Sequence, residues 1–158
     1  MSTVDFAAVT RALADAGQSF RFPAHGRSMR PFIHEGDVLT VAAADRVRRG
    51  DVVFLCKEDD HCLAHRVIRC YRNGHGMVAV RTQGDANGYP DPIAPWTAVV
   101  GRVVALERSG RIISLTEGPA RWLGLGWACL APLRRMGAWF VTRVRRVRHW
   151  LLQRRHRT

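Results

Sequence analysis

The sequence predicts a mainly-β protein: a barrel or sandwich-like core, preceded by a short helix and followed by a basic helical tail. Three observations point that way. Between Ser19 and Leu115, short β-type runs alternate with Gly, Pro, Asn and Asp breaks. Before them, Thr3–Ala16 carries apolar residues at helical spacing. After them, the chain turns rich in arginine, with apolar residues again at helical spacing.

In order along the chain, Val4, Ala7, Ala8 and Leu13 give residues Thr3–Ala16 a modest apolar stripe that Gly17 ends. At about four turns this helix is too short to be a complete helix-turn-helix DNA-binding domain. The β-type runs are Ser19–Pro23, Asp37–Ala42, Asp51–Cys56, His61–Tyr71, Met77–Thr82, Ala98–Arg108 and Arg111–Leu115. Asn73–Gly76 and Ser109–Gly110 read as hairpin turns. Gly118–Pro119 closes the module, which sets a domain at 1–118, with helix 3–16 and β core 19–115, and a basic amphipathic helical tail at 119–158. In the tail Met136, Phe140, Val144, Val147 and Leu151 recur at helical spacing opposite Arg145, Arg148 and His149.

Charge divides the chain at the same place. The 158 residues carry a formal charge of +12, yet residues 1–118 hold 15 basic against 13 acidic side chains. Pro119–Thr158 holds ten arginines and no acidic residue. Such a segment attracts polyanions. With Trp122, Trp127, Trp139 and Trp150 suited to a headgroup boundary, an anionic membrane surface is favoured as its partner over nucleic acid. A cationic helix packed on its own core is the competing account. No run reaches the ~20 apolar residues of a membrane span. The apolar segment Trp122–Leu133 instead fits a buried or interfacial helix. Met1–Gln18 lacks the apolar stretch of a secretory leader, and Cys56, Cys62, Cys70 and Cys129 match no compact disulfide framework. Reduced thiols and a cytoplasmic setting, with peripheral membrane association, are therefore expected. Cys56, His61, Cys62, His65 and Cys70 lack the tight paired spacing of zinc sites, so neither metal nor cofactor is expected.

Four segments carry chemistry: Gly26–Pro31 followed by Gly36-Asp37, Arg49–Phe54, Leu63–Ile68, and Thr82–Asn87 followed by Asp91-Pro92. In this order they resemble the signal peptidase I superfamily of S24/S26 type serine peptidases, over roughly Phe20 to Leu106. Ser28-Met29-Arg30-Pro31 with Gly36-Asp37 is similar to the family's S-M-x-P…G-D box, and Arg49–Phe54 to its R-x-G-D-[IV]-V-x-F strand. His65-Arg66-Val67 resembles the archaeal and endoplasmic-reticulum subclass, which has histidine where bacterial housekeeping enzymes have lysine. Gly84-Asp85-Ala86-Asn87 with Asp91 is similar to that subclass's G-D-x-N…D segment.

The resemblance implies a signal-peptidase-like catalytic core. Ser28 would be the nucleophile and His65 the general base. Asp85 and Asp91 would be the carboxylates, with either one orienting the histidine, and Met29 and Pro31 would lie beside a peptide or preprotein substrate. Core packing accounts for Met29 equally well, and a tight turn accounts for Asp85 and Asn87. In many relatives a hydroxyl two residues before the nucleophile helps stabilise the oxyanion; here that position is Gly26.

The residue types agree with that chemistry. A serine hydroxyl needs a neighbouring base to become nucleophilic. Histidine titrates in the neutral range, whereas arginine stays protonated. Lys57, the only lysine, sits beside Glu58, Asp59 and Asp60, which favour its charged form. Asp37 and Asp51 each follow a glycine at a strand start and suit turn or backbone-bonding roles. A repressor-like, non-enzymatic module that binds nucleic acid through its arginines is the competing function.

Overall fold

The computed structural model describes residues 3–57 and 61–131. Helix α1 (Thr3–Asp15) leads into β1 (Phe20–Pro23), β2 (Val38–Ala42), β3 (Val52–Cys56), β4 (Cys62–Asn73), β5 (Gly76–Gln83) and β6 (Ile93–Pro95). A single 3-10 turn (Trp96–Ala98), β7 (Val99–Arg108), β8 (Arg111–Ser114) and helix α2 (Gly118–Cys129) follow. The eight strands form one antiparallel sheet in the order β1-β2-β7-β3-β4-β5-β6, with β8 on β7. The mainly-β expectation holds, and the pairing path runs from β1 at one end to β6 at the other.

Sequence dictates these elements locally. At the end of α1, Gly17 takes φ +69, and the Gln18 N–H reaches back to the Leu13 carbonyl at 2.9 Å. This is a left-handed cap that glycine adopts without steric cost. The helix buries Ala7 and Thr10 with Phe6 and Leu13 packed beside them, whereas Ala8, expected on the apolar stripe, faces solvent. The β7–β8 turn places both Ser109 (φ 50) and Gly110 (φ 76) at positive φ, the conformation that matches hairpin twist.

Strand β3 lies between β4 and β7 and is buried along its whole length. Alternation sends Val52, Phe54 and Cys56 into one apolar cluster with Leu39, Val41 and Val103. Val53 and Leu55 enter a second with Val47, Val67 and Val80. Phe6, Phe20, Phe22 and Phe54 pack around one another in the first cluster, with ring centroids 4.7–6.1 Å apart.

Two differences from the sequence reading stand out. Strand β6 was not expected; it is three residues long and ends in Pro95, so it shows no alternation. The cysteine expectation is overturned for one pair. Antiparallel pairing of β3 with β4 sets Cys56 opposite Cys62, with Cα atoms 4.0 Å apart, and the two sulfurs are bonded. Cys70 and Cys129 remain thiols. The cysteines therefore no longer argue for a reducing compartment.

Beyond Gly118, helix α2 packs beside β4 and β8. The stripe expected from Met136 to Leu151 lies outside the described residues. Among those described, no helix is long and apolar enough to cross a membrane.

Candidate active site

Ser28 follows β1 in the irregular segment His25–His34, where Gly26 turns at φ +84. A backbone bond from Ala86 N–H to the Ser28 carbonyl, at 2.8 Å, ties this segment to the turn after β5. Within that turn the Asn87 N–H closes on the Gly84 carbonyl at 2.9 Å. Glycine is required at 84, because a Cβ there would lie 2.7 Å from the Ser28 carbonyl oxygen.

His65 sits on β4, paired with Val53 of β3, and is 7% exposed. Its Nε2 lies 3.0 Å from Ser28 Oγ, and its Nδ1 lies 2.6 Å from Asp91 Oδ2. The Thr82 hydroxyl donates to the same Asp91 oxygen at 2.7 Å, and the Asp91 N–H donates to the Thr82 carbonyl at 2.9 Å. Burial pulls the Asp91 carboxyl upward, but hydrogen bonds from His65 and Thr82, with the charge His65 can carry, outweigh it. The net shift is below the ordinary carboxylate value. Asp91 is thus an ionised acceptor, so Nδ1 carries the ring proton and Nε2 accepts from the Ser28 hydroxyl. In this geometry a proton can pass from Oγ to Nε2 while a carboxylate supports the imidazolium.

The four residues expected at the site fall into two groups. Ser28, His65 and Asp91 form one hydrogen-bonded row. Asp85 lies in the adjoining turn, where the Arg66 guanidinium grips it bidentately, Nε to Oδ1 at 2.7 Å and Nη2 to Oδ2 at 2.6 Å. The carboxylate on the ring nitrogen is therefore Asp91, and Asp85 engages the neighbouring arginine. Arg66 also donates to the Gly50 carbonyl at 2.8 Å and lies over the Phe32 ring. The Trp127 indole of α2 donates to the Asp85 carbonyl at 3.1 Å.

The sequence assigns Thr82, Arg66 and Trp127 no role at the site; Trp127, expected at a headgroup boundary, instead turns inward, its indole on Asp85 and its ring against Phe32. Arg66 had one available signal, its place directly after the histidine. Asp37 and Asp51 cap local backbone as expected, accepting from His34 N–H (2.7 Å) and Arg48 N–H (2.9 Å). Asp37 additionally pairs with Arg108 through both carboxylate oxygens.

A groove of about 710 Å³ opens beside Ser28 and His65. Its apolar wall comes from Phe6, Phe22, Leu39, Phe54, Leu63 and Ala64. Met29 is 6% exposed, packs in the core and also lines the groove. Pro31 is exposed and is not among the groove's lining residues; its carbonyl instead contacts the His34 ring at 2.9 Å. In the Cys/His cluster, the Cys56 and Cys62 sulfurs are bonded to each other, which removes both as thiolate ligands. Among the described residues no group of three or more side chains is placed to hold a metal ion.

A serine, a histidine and a carboxylate in hydrogen-bonded sequence, on an antiparallel sheet, mark a peptidase-type domain. The chain belongs to the Peptidase S24-like family, whose model matches residues 2–104, and so to the S24/S26 peptidase superfamily. Strand β8 and helix α2 lie beyond the matched region. No curated protein and no solved structure matches the chain.

Proposed function

We propose that the chain is a serine endopeptidase of the signal-peptidase type that cleaves a leader, signal or propeptide segment. Of the superfamily's branches, the Ser/His archaeal and endoplasmic-reticulum subclass fits best. The observation that carries the reading is the row Ser28 Oγ, His65 Nε2 and Nδ1, Asp91 Oδ2, with separations of 3.0 and 2.6 Å.

In this reading Ser28 Oγ attacks the scissile carbonyl and its proton moves to His65 Nε2. The imidazolium, supported by Asp91, then gives that proton to the departing amine. A water molecule, deprotonated in turn by His65, hydrolyses the Ser28 ester and regenerates the hydroxyl. The Ser28 N–H makes no hydrogen bond among the described residues and can donate to the oxyanion. Gly26 offers no side-chain donor. Asp85 and Arg66 act by position, holding the turn that is bonded to the Ser28 carbonyl.

Substrate geometry follows from the sheet. Strand β1 ends the pairing order, and its Phe22 and Pro23 line the groove. An extended peptide can add to that edge through backbone bonds while its apolar side chains enter the groove.

The test is cleavage of a peptide library, read by mass spectrometry, for wild type, Ser28→Ala and His65→Ala, each verified folded by circular dichroism. Losses of about 10³-fold or more are expected for both variants. Equal cleavage by all three proteins would refute the assignment.

A further inference from the structure

Helix α2 has two unlike faces. The inner face is fixed to the domain. Gly124 and Ala128 are buried, Arg49 donates to the Ala128 carbonyl at 2.9 Å, and the Trp127 ring meets Phe32 at 5.3 Å between centroids. The outer face consists of Pro119, Trp122, Leu123, Gly126 and Cys129, continued by Leu130 at the C-terminal cap, all exposed and spaced three residues apart except for two steps of one. Trp122 is 70% exposed, Leu123 60% and Leu130 45%, and no charged side chain interrupts the row. Strand β8, beside which α2 packs, exposes Ile112 to 76%. On a surface helix the outward stripe is ordinarily the polar one. Here it is apolar, which marks a contact surface.

We propose that this face of α2 docks on an anionic lipid membrane. The chemistry of the chain selects that partner. The residues that follow α2, 132–158, contain nine arginines and no acidic residue. A cationic segment continuous with an apolar, tryptophan-bearing helix face combines the two attractions of an interfacial anchor: burial at the headgroup boundary and attraction to acidic lipids. A second copy of this chain would bring two such cationic segments together, which their charge opposes. Nucleic acid would satisfy the arginines through phosphates but leave the leucines of the stripe uncovered. The face lies outside the region matched by the peptidase family model and uses neither Ser28 nor His65, so the inference stands apart from the proposed catalysis.

The test is co-sedimentation of the full-length protein with vesicles of phosphatidylcholine alone or mixed with phosphatidylglycerol. Wild type, Trp122→Ser, Leu123→Ser and the double variant are compared, with light scattering on each. The wild type is expected to sediment with the acidic vesicles and not with the neutral ones. The double variant should lose roughly tenfold or more in vesicle affinity, with an unchanged melting temperature because both positions are exposed. Undiminished binding by the double variant would overturn the inference, leaving charge alone as the attraction. Failure of the wild type to bind acidic vesicles would overturn it too. So would a wild-type dimer that the double variant converts to monomer, which would assign the face to self-association.

Discussion

Arg66 and Asp85 form a closed bidentate pair, with side chains only 5% and 1% exposed, one residue along the strand from His65. Burial removes both charges from water, so each depends on the other. Arg66→Ala leaves a carboxylate without its main counter-charge. It should cost about 3–5 kcal/mol, which lowers the melting temperature on the order of 10 °C for a domain of this size. Calorimetry reads this directly, and a shift under a few degrees would show the pair to be dispensable.

Asp91 should behave differently from Asp85. Replacing Asp91 by Asn removes the ionised acceptor that fixes the His65 tautomer, while an amide oxygen can still receive the Thr82 hydroxyl. Turnover is expected to fall about 10²–10⁴-fold with little change in melting temperature. Asp85→Asn should lower the melting temperature first. Library cleavage measured alongside thermal unfolding separates the two patterns, and identical behaviour of both variants would contradict the division of roles.

Gly84→Ala tests the link between the two loops. The added methyl would sit 2.6 Å from Asn87 Nδ2 and 2.7 Å from the Ser28 carbonyl oxygen, so the turn and the serine segment must separate. Displacement of the hydroxyl by even about 1 Å is expected to lower activity on the order of 10²-fold. Gly74→Ala, where a Cβ meets nothing within 4 Å, is the matched control.

The ion pair of Asp37 with Arg108 predicts acid sensitivity. Hydrogen bonding to Arg108 is the main cause that holds the Asp37 carboxyl below its usual value, against the upward pull of burial. A carboxyl depressed in the folded state adds stability above its unfolded value of about 4, and that stability is lost as pH falls through the folded value. Asp37→Asn should therefore be destabilising at neutral pH. Its deficit relative to wild type should shrink below about pH 4 and vanish once the native carboxyl is itself protonated. Denaturant titrations across that range check the trend, and a deficit independent of pH would contradict it.

Alkylation of unfolded, unreduced protein should label two of the four cysteines, Cys70 and Cys129, and reduction beforehand should raise the count to four. Mass spectrometry gives the answer in one measurement, and four labels without reductant would exclude the Cys56–Cys62 bond.

Seven of the eight strands were legible because Gly, Pro, Asn and Asp separate their apolar runs, and the Ser109-Gly110 turn declares its positive φ values through composition. Ser28 and His65 were legible from residue type and context. What distinguishes Asp85 from Asp91 is distance alone, since both follow β5 within a few residues and either composition suits a turn. Arg66 was hidden because a strand arginine ordinarily faces water, and its partner lies 19 residues further on. The Cys56–Cys62 pairing depends on which residues of β3 and β4 stand opposite one another, a property of the hairpin register that spacing does not encode.

That covalent rung has a consequence for the neighbouring strand. On β4, residues 64, 65 and 66 offer in succession a methyl group, an imidazole and a guanidinium. A slip of one position in the β3–β4 ladder would set the wrong one of these before the serine hydroxyl, since neighbouring side chains point to opposite sides. The cross-link at Cys62, three residues from His65, forbids that slip. The hairpin is keyed by its sulfurs, and a chain that has closed the bond has already chosen which side chain meets the hydroxyl.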